Sequence, residues 1–87
     1  MTQLKCFAIA GIKLWFWPAD HEPPHFHAKR AGEWEYKIYF LEGEATMFEE
    51  FWTKKKARMS RQDKQAIVDM VTAHRFAILQ EWEKIHP

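Results

Sequence analysis

The sequence predicts an α+β fold, in which a small antiparallel sheet of three to four strands packs against a long C-terminal helix within a single domain, residues 1–87. Two patterns predict it. Between about residues 4 and 52, aromatic and β-branched residues often alternate with polar ones, which is the period of a strand with one buried face. From about residue 61 to residue 85, apolar residues recur every three or four positions, and neither glycine nor proline interrupts them.

Turn-forming residues divide the first part of the chain into extended segments. Gly11, Pro18 and Gly32 mark three of the divisions. Segment 12–17 is apolar on both faces, so it is expected as an inner strand with cover on each side. Segment 45–52 is either a short last strand or irregular cover. The other expected strands are 4–10, 25–30 and 34–41.

The C-terminal third is expected to form one amphipathic helix. Ser60, with Asp63 three residues later, resembles a capping box. A helix of about 25 residues would be about 38 Å long, whereas a domain of this size has a radius of gyration of about 12 Å. The helix therefore overhangs, bends, or is covered in part by a partner. Its apolar stripe consists of Ile67, Val71, His74, Ile78, Trp82 and Ile85.

Composition limits the classes of function. The net charge is +1, so the whole molecule offers no strong electrostatic attraction to nucleic acid or membrane. Cys6 is the single cysteine, which excludes an internal disulfide and fits a reducing compartment. No apolar stretch reaches the roughly 18 residues of a membrane span. We therefore expect a cytoplasmic protein without a membrane partner.

The densest chemical pattern is the run Asp-His-Glu-Pro-Pro-His-Phe-His at residues 20–27. His25 and His27, two residues apart on a strand, project from the same face and can present two imidazoles to one metal ion. His21 or Asp20 could supply a third ligand and leave one position open for water. This pattern predicts a hydrolytic or redox centre with a divalent transition metal such as zinc.

Two alternatives use the same side chains without a metal. In the first, Asp20 or Glu22 orients a histidine for acid–base catalysis. In the second, the imidazoles donate hydrogen bonds to loop carbonyls and hold the start of the strand in place. The sequence leaves all three interpretations open.

His74 and Arg75 are the distant residues expected to approach this run. His74 lies in the apolar stripe of the helix and could complete the histidine cluster, if the helix covers the face that bears the histidines. Arg75 could pair with Asp20, with Glu22 or with a phosphate. The alternative for His74 is a core histidine, and the alternative for Arg75 is a surface ion pair. The candidate catalytic residues are His21, His25, His27, His74 and Arg75.

A basic patch follows the predicted sheet. The patch consists of Lys54, Lys55, Lys56 and Arg58, and Phe51 and Trp52 precede it. Lysine and arginine can contact phosphates and aromatic rings can stack on bases, so this pattern predicts a nucleic-acid site. The alternative is a solvated charged loop, because four glutamates lie just upstream.

The order of these elements resembles a small bacterial family catalogued as domain of unknown function 4160. Its most specific part is the run Pro23-Pro24-His25-Phe26-His27, and the resemblance extends from about Ile12 to Trp82. It implies an α+β fold, and a genetic arrangement similar to toxin–antitoxin pairs. This sequence departs from the commoner pattern in its lysine-rich stretch. The implied signature positions are His21, Pro23, Pro24, His25, His27, His74, Arg75 and Trp82.

Three functions follow from these observations, in descending order of expectation. The first is a protein-interaction module, as a homodimer or with a small partner protein in a toxin–antitoxin-like pair. The second is an enzyme that uses the histidine cluster, with metal ligands His21, His25 and His27 in its metal-dependent form. The third is nucleic-acid binding through the basic patch at residues 54–64.

Overall fold

The computed structural model describes residues 1–51 and 58–87, and it contains one five-stranded antiparallel sheet with a C-terminal helix on one face. The strands are arranged in chain order, and each pairs with the next one along the chain. The α+β fold class is therefore confirmed. The elements are β1 (Thr2–Gln3), β2 (Lys13–Phe16), β3 (Phe26–Arg30), β4 (Trp34–Ile38), α1 (Glu44–Met47), β5 (Phe48–Glu50) and α2 (Arg61–Ile85).

The predicted number of strands, three to four, is too small, and the predicted strand over 4–10 is wrong. The chain pairs with β2 at β1, donates one further hydrogen bond of 3.0 Å from the N–H of Leu4 to the carbonyl of Leu14, and then leaves the sheet. The carboxylate of Glu81 accepts hydrogen bonds from the backbone N–H groups of Lys5 (2.9 Å) and Cys6 (2.7 Å). A helix side chain thus satisfies backbone groups that a strand would pair. Segment 45–52, which the sequence left open, contributes α1 and β5.

Gly11 is required where the chain turns into β2. Its φ of +80° lies in the left-handed region that favours glycine. A Cβ atom at this position would lie 2.6 Å from Nη1 of Arg30. Arg30 is itself fixed, because it donates two hydrogen bonds of 2.9 Å to the carboxylate of Asp63 in α2. The turn at Gly11 therefore packs against the ion pair that joins β3 to α2.

Helix α2 begins and bends as its sequence allows. The backbone N–H of Asp63 donates to Oγ of Ser60 at 3.1 Å, which confirms the predicted cap. Of the three expected outcomes for so long a helix, the structure shows a bend: His74 departs from helical dihedrals, with φ −123° and ψ 15°. None of the helices described is long and apolar enough to cross a membrane.

The two faces of the sheet have different coverings. Alternation along the strands places Phe26 and Ala28 on the face packed against α2, which we call the covered face. Trp15 and His27, paired across β2 and β3, lie on the other, which we call the second face. The main core consists of residues from the covered face and α2, chiefly Leu14, Phe16, Phe26, Ala28, Trp34, Ile38, Ile67, Val71, Ile78 and Trp82.

Candidate metal centre

Asp20, His25 and His27 come together on the second face, where the connection from β2 enters β3. Each offers one ligand atom, and the three atoms lie within 4.8 Å of one another. A tight turn places the carboxylate, since the backbone N–H of Asp20 donates to the carbonyl of Trp17 at 3.1 Å. The chain then returns through a cis peptide bond between Glu22 and Pro23 to His25. The predicted pair His25 and His27 is thus completed by Asp20.

One carboxylate oxygen faces both imidazoles. Oδ2 of Asp20 lies 2.8 Å from Nε2 of His27 and 3.1 Å from Nε2 of His25. The first contact is a hydrogen bond, whereas Nε2 of His25 lacks hydrogen-bond alignment with any partner among the described residues. His25 and His27 are only 5% and 2% exposed, while the Asp20 side chain is 22% exposed. The cluster is therefore buried on the imidazole side and open on the carboxylate side.

The protonation of His25 follows from its outer partner. Nδ1 of His25 lies 2.9 Å from the carbonyl oxygen of Pro23, which can only accept, so Nδ1 carries a proton and donates it. In the neutral ring, Nε2 then presents a lone pair toward the Asp20 carboxylate. Two acceptors at 3.1 Å repel each other unless a proton or a metal cation lies between them.

His27 has a carboxylate on its far side as well. When Nε2 donates to Asp20, the neutral ring leaves Nδ1 without a hydrogen-bond partner. The nearest carboxylate oxygen to Nδ1 is Oε2 of Glu35, at 4.0 Å. An acceptor on the side of the ring away from the ion is the usual environment of a metal-ligating histidine. His25 has one in Pro23, at hydrogen-bond distance, whereas the carboxylate of Glu35 lies beyond that distance from His27.

Burial keeps His27 neutral. Desolvation lowers its pKa from the ordinary value, although the hydrogen bond and the charge of Asp20 act in the opposite direction. The neutral imidazole is the form that binds a metal ion. A metal ion on Nε2 would move the single ring proton to Nδ1, on the side of Glu35, with no net loss of a proton from His27.

Aromatic rings surround the two imidazoles and fix their planes. The ring of Trp15 stacks on His27 at a centroid distance of 5.3 Å, and Phe51 meets His27 edge-on at 6.0 Å. The rings of Tyr39 and Trp82 lie 5.2 and 5.7 Å from His25. Such walls exclude water from the imidazole side and strengthen electrostatic interactions within the cluster.

Tyr39 remains a neutral phenol beside this cluster. Burial, the hydrogen bond to Glu49 and the nearby carboxylates raise its pKa to about 12. Its hydroxyl donates to Oε1 of Glu49 at 2.8 Å. The hydroxyl is thus already engaged, and Tyr39 forms a wall of the site rather than an anionic ligand.

The matched family is the one that the sequence resembles. Residues 11–83 match the family described as Domain of unknown function (DUF4160). The chain belongs to this family. The matched range contains the whole Asp20, His25 and His27 cluster. No curated protein and no solved structure gives a significant match.

Two predicted site residues of this DUF4160 domain lie elsewhere in the described structure. His74 stacks on Phe7 at 5.5 Å, in the core beneath the covered face, because α2 packs opposite the face that bears His27. Arg75 donates through Nε to the carbonyl of Phe40 at 2.7 Å, rather than to Asp20 or Glu22. Both contacts hold α2 to the rest of the domain.

The remaining predicted residues divide into two groups. His21 is exposed and is not part of the cluster of ligand atoms. Lys54, Lys55 and Lys56 lie outside the described residues, whereas Arg58 is described and exposed. The nucleic-acid prediction for this patch therefore stays a prediction.

Sequence reasoning missed Glu35 and the stacking role of Trp15. Both positions follow from strand register. His27 pairs with Trp15 on β2, and Glu35 on β4 pairs with Lys29, which is two residues after His27 and therefore on the same face. The turn at Gly32 fixes that register, so counting outward from Gly32 could have placed Glu35 on the face of His27.

Proposed function

We propose that the protein binds one divalent transition metal ion through Oδ2 of Asp20 and Nε2 of His25 and His27, and that it uses the ion in hydrolysis. The observation that carries this proposal is the buried Nε2 of His25. It lies 3.1 Å from a carboxylate oxygen without hydrogen-bond alignment, and the other ring nitrogen lies 2.9 Å from a carbonyl oxygen. A buried polar atom left without a partner costs about 1–3 kcal/mol, and a bound cation removes that cost.

Two imidazoles and one carboxylate form a ligand set that suits zinc. Zinc sites with three protein ligands keep a fourth position for water, and the ion lowers the pKa of that water to about 7. The partly exposed side of Asp20 is the side from which water and a substrate can approach. The same ligands can also hold iron in oxygen-dependent enzymes, so metal analysis decides between a hydrolytic and a redox centre.

Metal content is the direct test. Protein purified without a histidine tag is analysed by elemental mass spectrometry, before and after loading with zinc and dialysis. We expect about one ion per chain in the wild type. Asp20→Asn keeps the size of the side chain and removes its charge, so it should lower zinc affinity at least about 10-fold. His21→Ala is the matched control in the same loop and should retain the wild-type affinity.

The outcome of this test separates the metal, acid–base and structural interpretations of the cluster. If zinc-loaded wild type holds far less than one ion and Asp20→Asn has the same affinity, the metal proposal fails. If the cluster is a metal-free acid–base site, Asp20→Asn abolishes the catalytic activity of the protein and leaves its metal content unchanged. In the structural alternative, the variant changes the unfolding free energy and nothing else.

The protein-interaction role expected from the sequence stays a prediction. One observation favours it: Phe76 is 72% exposed on α2, the largest exposure among the large apolar side chains of residues 1–51 and 58–87. The occupant that we propose is a second copy of this chain, through the outer side of α2. Light scattering coupled to size-exclusion chromatography should give a dimer for the wild type and a monomer for Phe76→Ser. A wild-type monomer at about 100 μM contradicts this role.

A further inference from the structure

The second face carries cations that the candidate metal centre does not use. Lys13 and Lys29 are directly opposite each other on β2 and β3. Like charges at directly opposed positions destabilise a sheet. Both lysines are exposed, and neither forms a salt bridge within residues 1–51 and 58–87. Glu35 lies opposite Lys29 on the other side, so one carboxylate offsets part of this repulsion, and an anion bound between the two lysines would relieve the rest.

A groove lies between these two lysines. Its volume is about 480 Å³, and Gly11, Ile12 and Ala31 complete its lining. Nζ of Lys13 lies 5.5 Å from the ring centroid of Trp15, the ring that stacks on His27. The pair Lys13 and Lys29 lies two residues along the strands from the pair Trp15 and His27, so an extended ligand can reach from the groove to the candidate metal centre.

A row of rings crosses the second face beside the groove. It runs from Trp17 through Trp15 and His27 to Phe51, with successive centroid distances of 6.4, 5.3 and 6.0 Å. The inner two rings are buried, whereas Trp17 and Phe51 at the ends are 41% and 40% exposed. Exposed rings on a sheet are stacking platforms for the bases of a single strand.

A third lysine lies next to the metal ligands. Lys37 is the cross-strand partner of His27, and its Nζ lies 5.6 Å from the ring centroid of Phe51. Nζ is also 4.0 Å from Oε1 of Glu49. The three lysines face the carboxylates of the same face, Asp20, Glu35 and Glu49, so a bound divalent ion gives the face a net positive charge.

We infer that the second face binds single-stranded nucleic acid, with phosphates at the lysines, bases on Trp17 and Phe51, and one phosphodiester at the metal centre. The cleavage part rests on the proposed hydrolytic function. In that step the oxygen of one water bonds to phosphorus, and one ester P–O bond breaks. One proton of the water goes to the leaving oxygen, and the other stays on or leaves the new phosphate. The binding part stands on the three lysines and the exposed rings, and a bound ion would strengthen it by making the net charge of the face positive.

The first experiment measures binding by fluorescence anisotropy, with a labelled oligothymidine of about 12 nucleotides, in EDTA and in zinc. Lys13→Gln combined with Lys29→Gln should weaken binding at least about 10-fold and reduce the salt slope by about 1.4, since each single-strand phosphate contact contributes about 0.7. Lys5→Gln with Lys84→Gln removes the same charge beside Cys6, away from the sheet face, and should change affinity less than twofold. If the two double substitutions lower the affinity equally, the groove between Lys13 and Lys29 is not the binding site.

The second experiment tests stacking. Trp17→Ala should weaken binding about 10-fold, because one base loses its platform. Leu41→Ala removes an apolar side chain of similar exposure, 46%, that has no ring, and it should leave affinity unchanged. Inorganic phosphate and thymidine monophosphate are added as competitors. If either competes as well as the oligonucleotide at equal phosphate concentration, the groove binds free phosphate and the nucleic-acid proposal fails.

The third experiment separates this inference from the metal proposal. Asp20→Asn should abolish zinc-dependent cleavage of the oligonucleotide and leave its salt-sensitive binding in EDTA. Oligonucleotide binding without metal uptake contradicts the proposed metal function and supports nucleic-acid binding at the second face. Metal uptake without oligonucleotide binding contradicts nucleic-acid binding at this face. If charge reversal at Lys54, Lys55 and Lys56 alone abolishes binding, the sequence-predicted patch is the site and the second face is not.

Discussion

The covered face of the sheet buries mainly hydrocarbon, whereas the second face buries imidazole and indole rings with unpaired nitrogen atoms. Phe16, Phe26 and Ile38 on the covered face are 0% exposed and carry no polar side-chain atom. Three of the four buried side-chain atoms that lack a hydrogen-bond partner among the described residues belong to Trp15, His25 and His27. Packing explains the first face, whereas the proposed cation would contact one of these three unpaired atoms, Nε2 of His25, and leave the other two to the fold. The main core and the proposed site thus lie on opposite faces of one sheet.

The largest expected effect is on the covered side. Ile78 in α2 is 0% exposed, so Ile78→Ala loses transfer free energy and leaves a cavity. We expect the free energy of unfolding to fall by about 2–5 kcal/mol in urea titrations. Gln80→Ala, two residues away and exposed, should change it by less than about 0.5 kcal/mol. Zinc stoichiometry should be unchanged in folded Ile78→Ala, and its loss would show that the two sides are not separable.

The next effect concerns the turn into β2. Gly11→Ala should lower the free energy of unfolding by about 1–3 kcal/mol, because it strains a left-handed backbone and drives a Cβ atom toward Arg30. Gly32 has nearly the same φ, +79°, but open space around its Cα. Gly32→Ala should therefore cost only the backbone part, about 1 kcal/mol. Equal losses in the two variants would mean that the Arg30 contact is irrelevant.

Much of the covered side could be predicted from the sequence, because it depends on local periodicity. The stripe in α2 and the cap at Ser60 lie at the predicted positions. The strand over 4–10 could not be excluded, since its composition suits a strand. A carboxylate 75 residues away in sequence, that of Glu81, decides the backbone pairing of Cys6.

The candidate site was only partly predictable, for the same physical reason. Strand period placed His25 and His27 on one face, but it could not say which face α2 covers. That choice decides whether His74 joins the cluster or packs on Phe7. Sequence spacing also left His21 and Asp20 as equal third ligands, and the turn from Trp17 to Asp20 brings the carboxylate inward.

A smaller effect sharpens the account of the second face. Glu35→Gln removes the negative charge 4.0 Å from Nδ1 of His27, and with it the electrostatic support for a proton on Nδ1 when Nε2 binds the metal. We expect zinc affinity to fall about 10-fold, measured by competition with a chromogenic chelator. Glu50→Gln removes the same charge from β5, where Glu50 pairs with Tyr36 and follows the alternation of the covered face. It should leave zinc affinity unchanged, and a similar loss there would indicate a general charge effect.

The smallest effect is the pH dependence of stability in the metal-free protein. Burial lowers the pKa of His27 in the folded state below the value of about 6.5 expected in the unfolded chain. Between those two values the unfolded chain binds more protons, so stability is full above about pH 6.5 and decreases as the pH falls toward the folded pKa. One such group gives a slope of at most about 1.4 kcal/mol per pH unit. Urea titrations from pH 7.5 to 5, in EDTA, should show this decrease in the wild type and a flatter profile in His27→Gln. Because zinc binding also requires neutral His27, saturating zinc should steepen the wild-type loss as protons compete with the ion. An unchanged profile in zinc would mean that the ion binds elsewhere, and that the buried nitrogens of the second face belong to the fold alone.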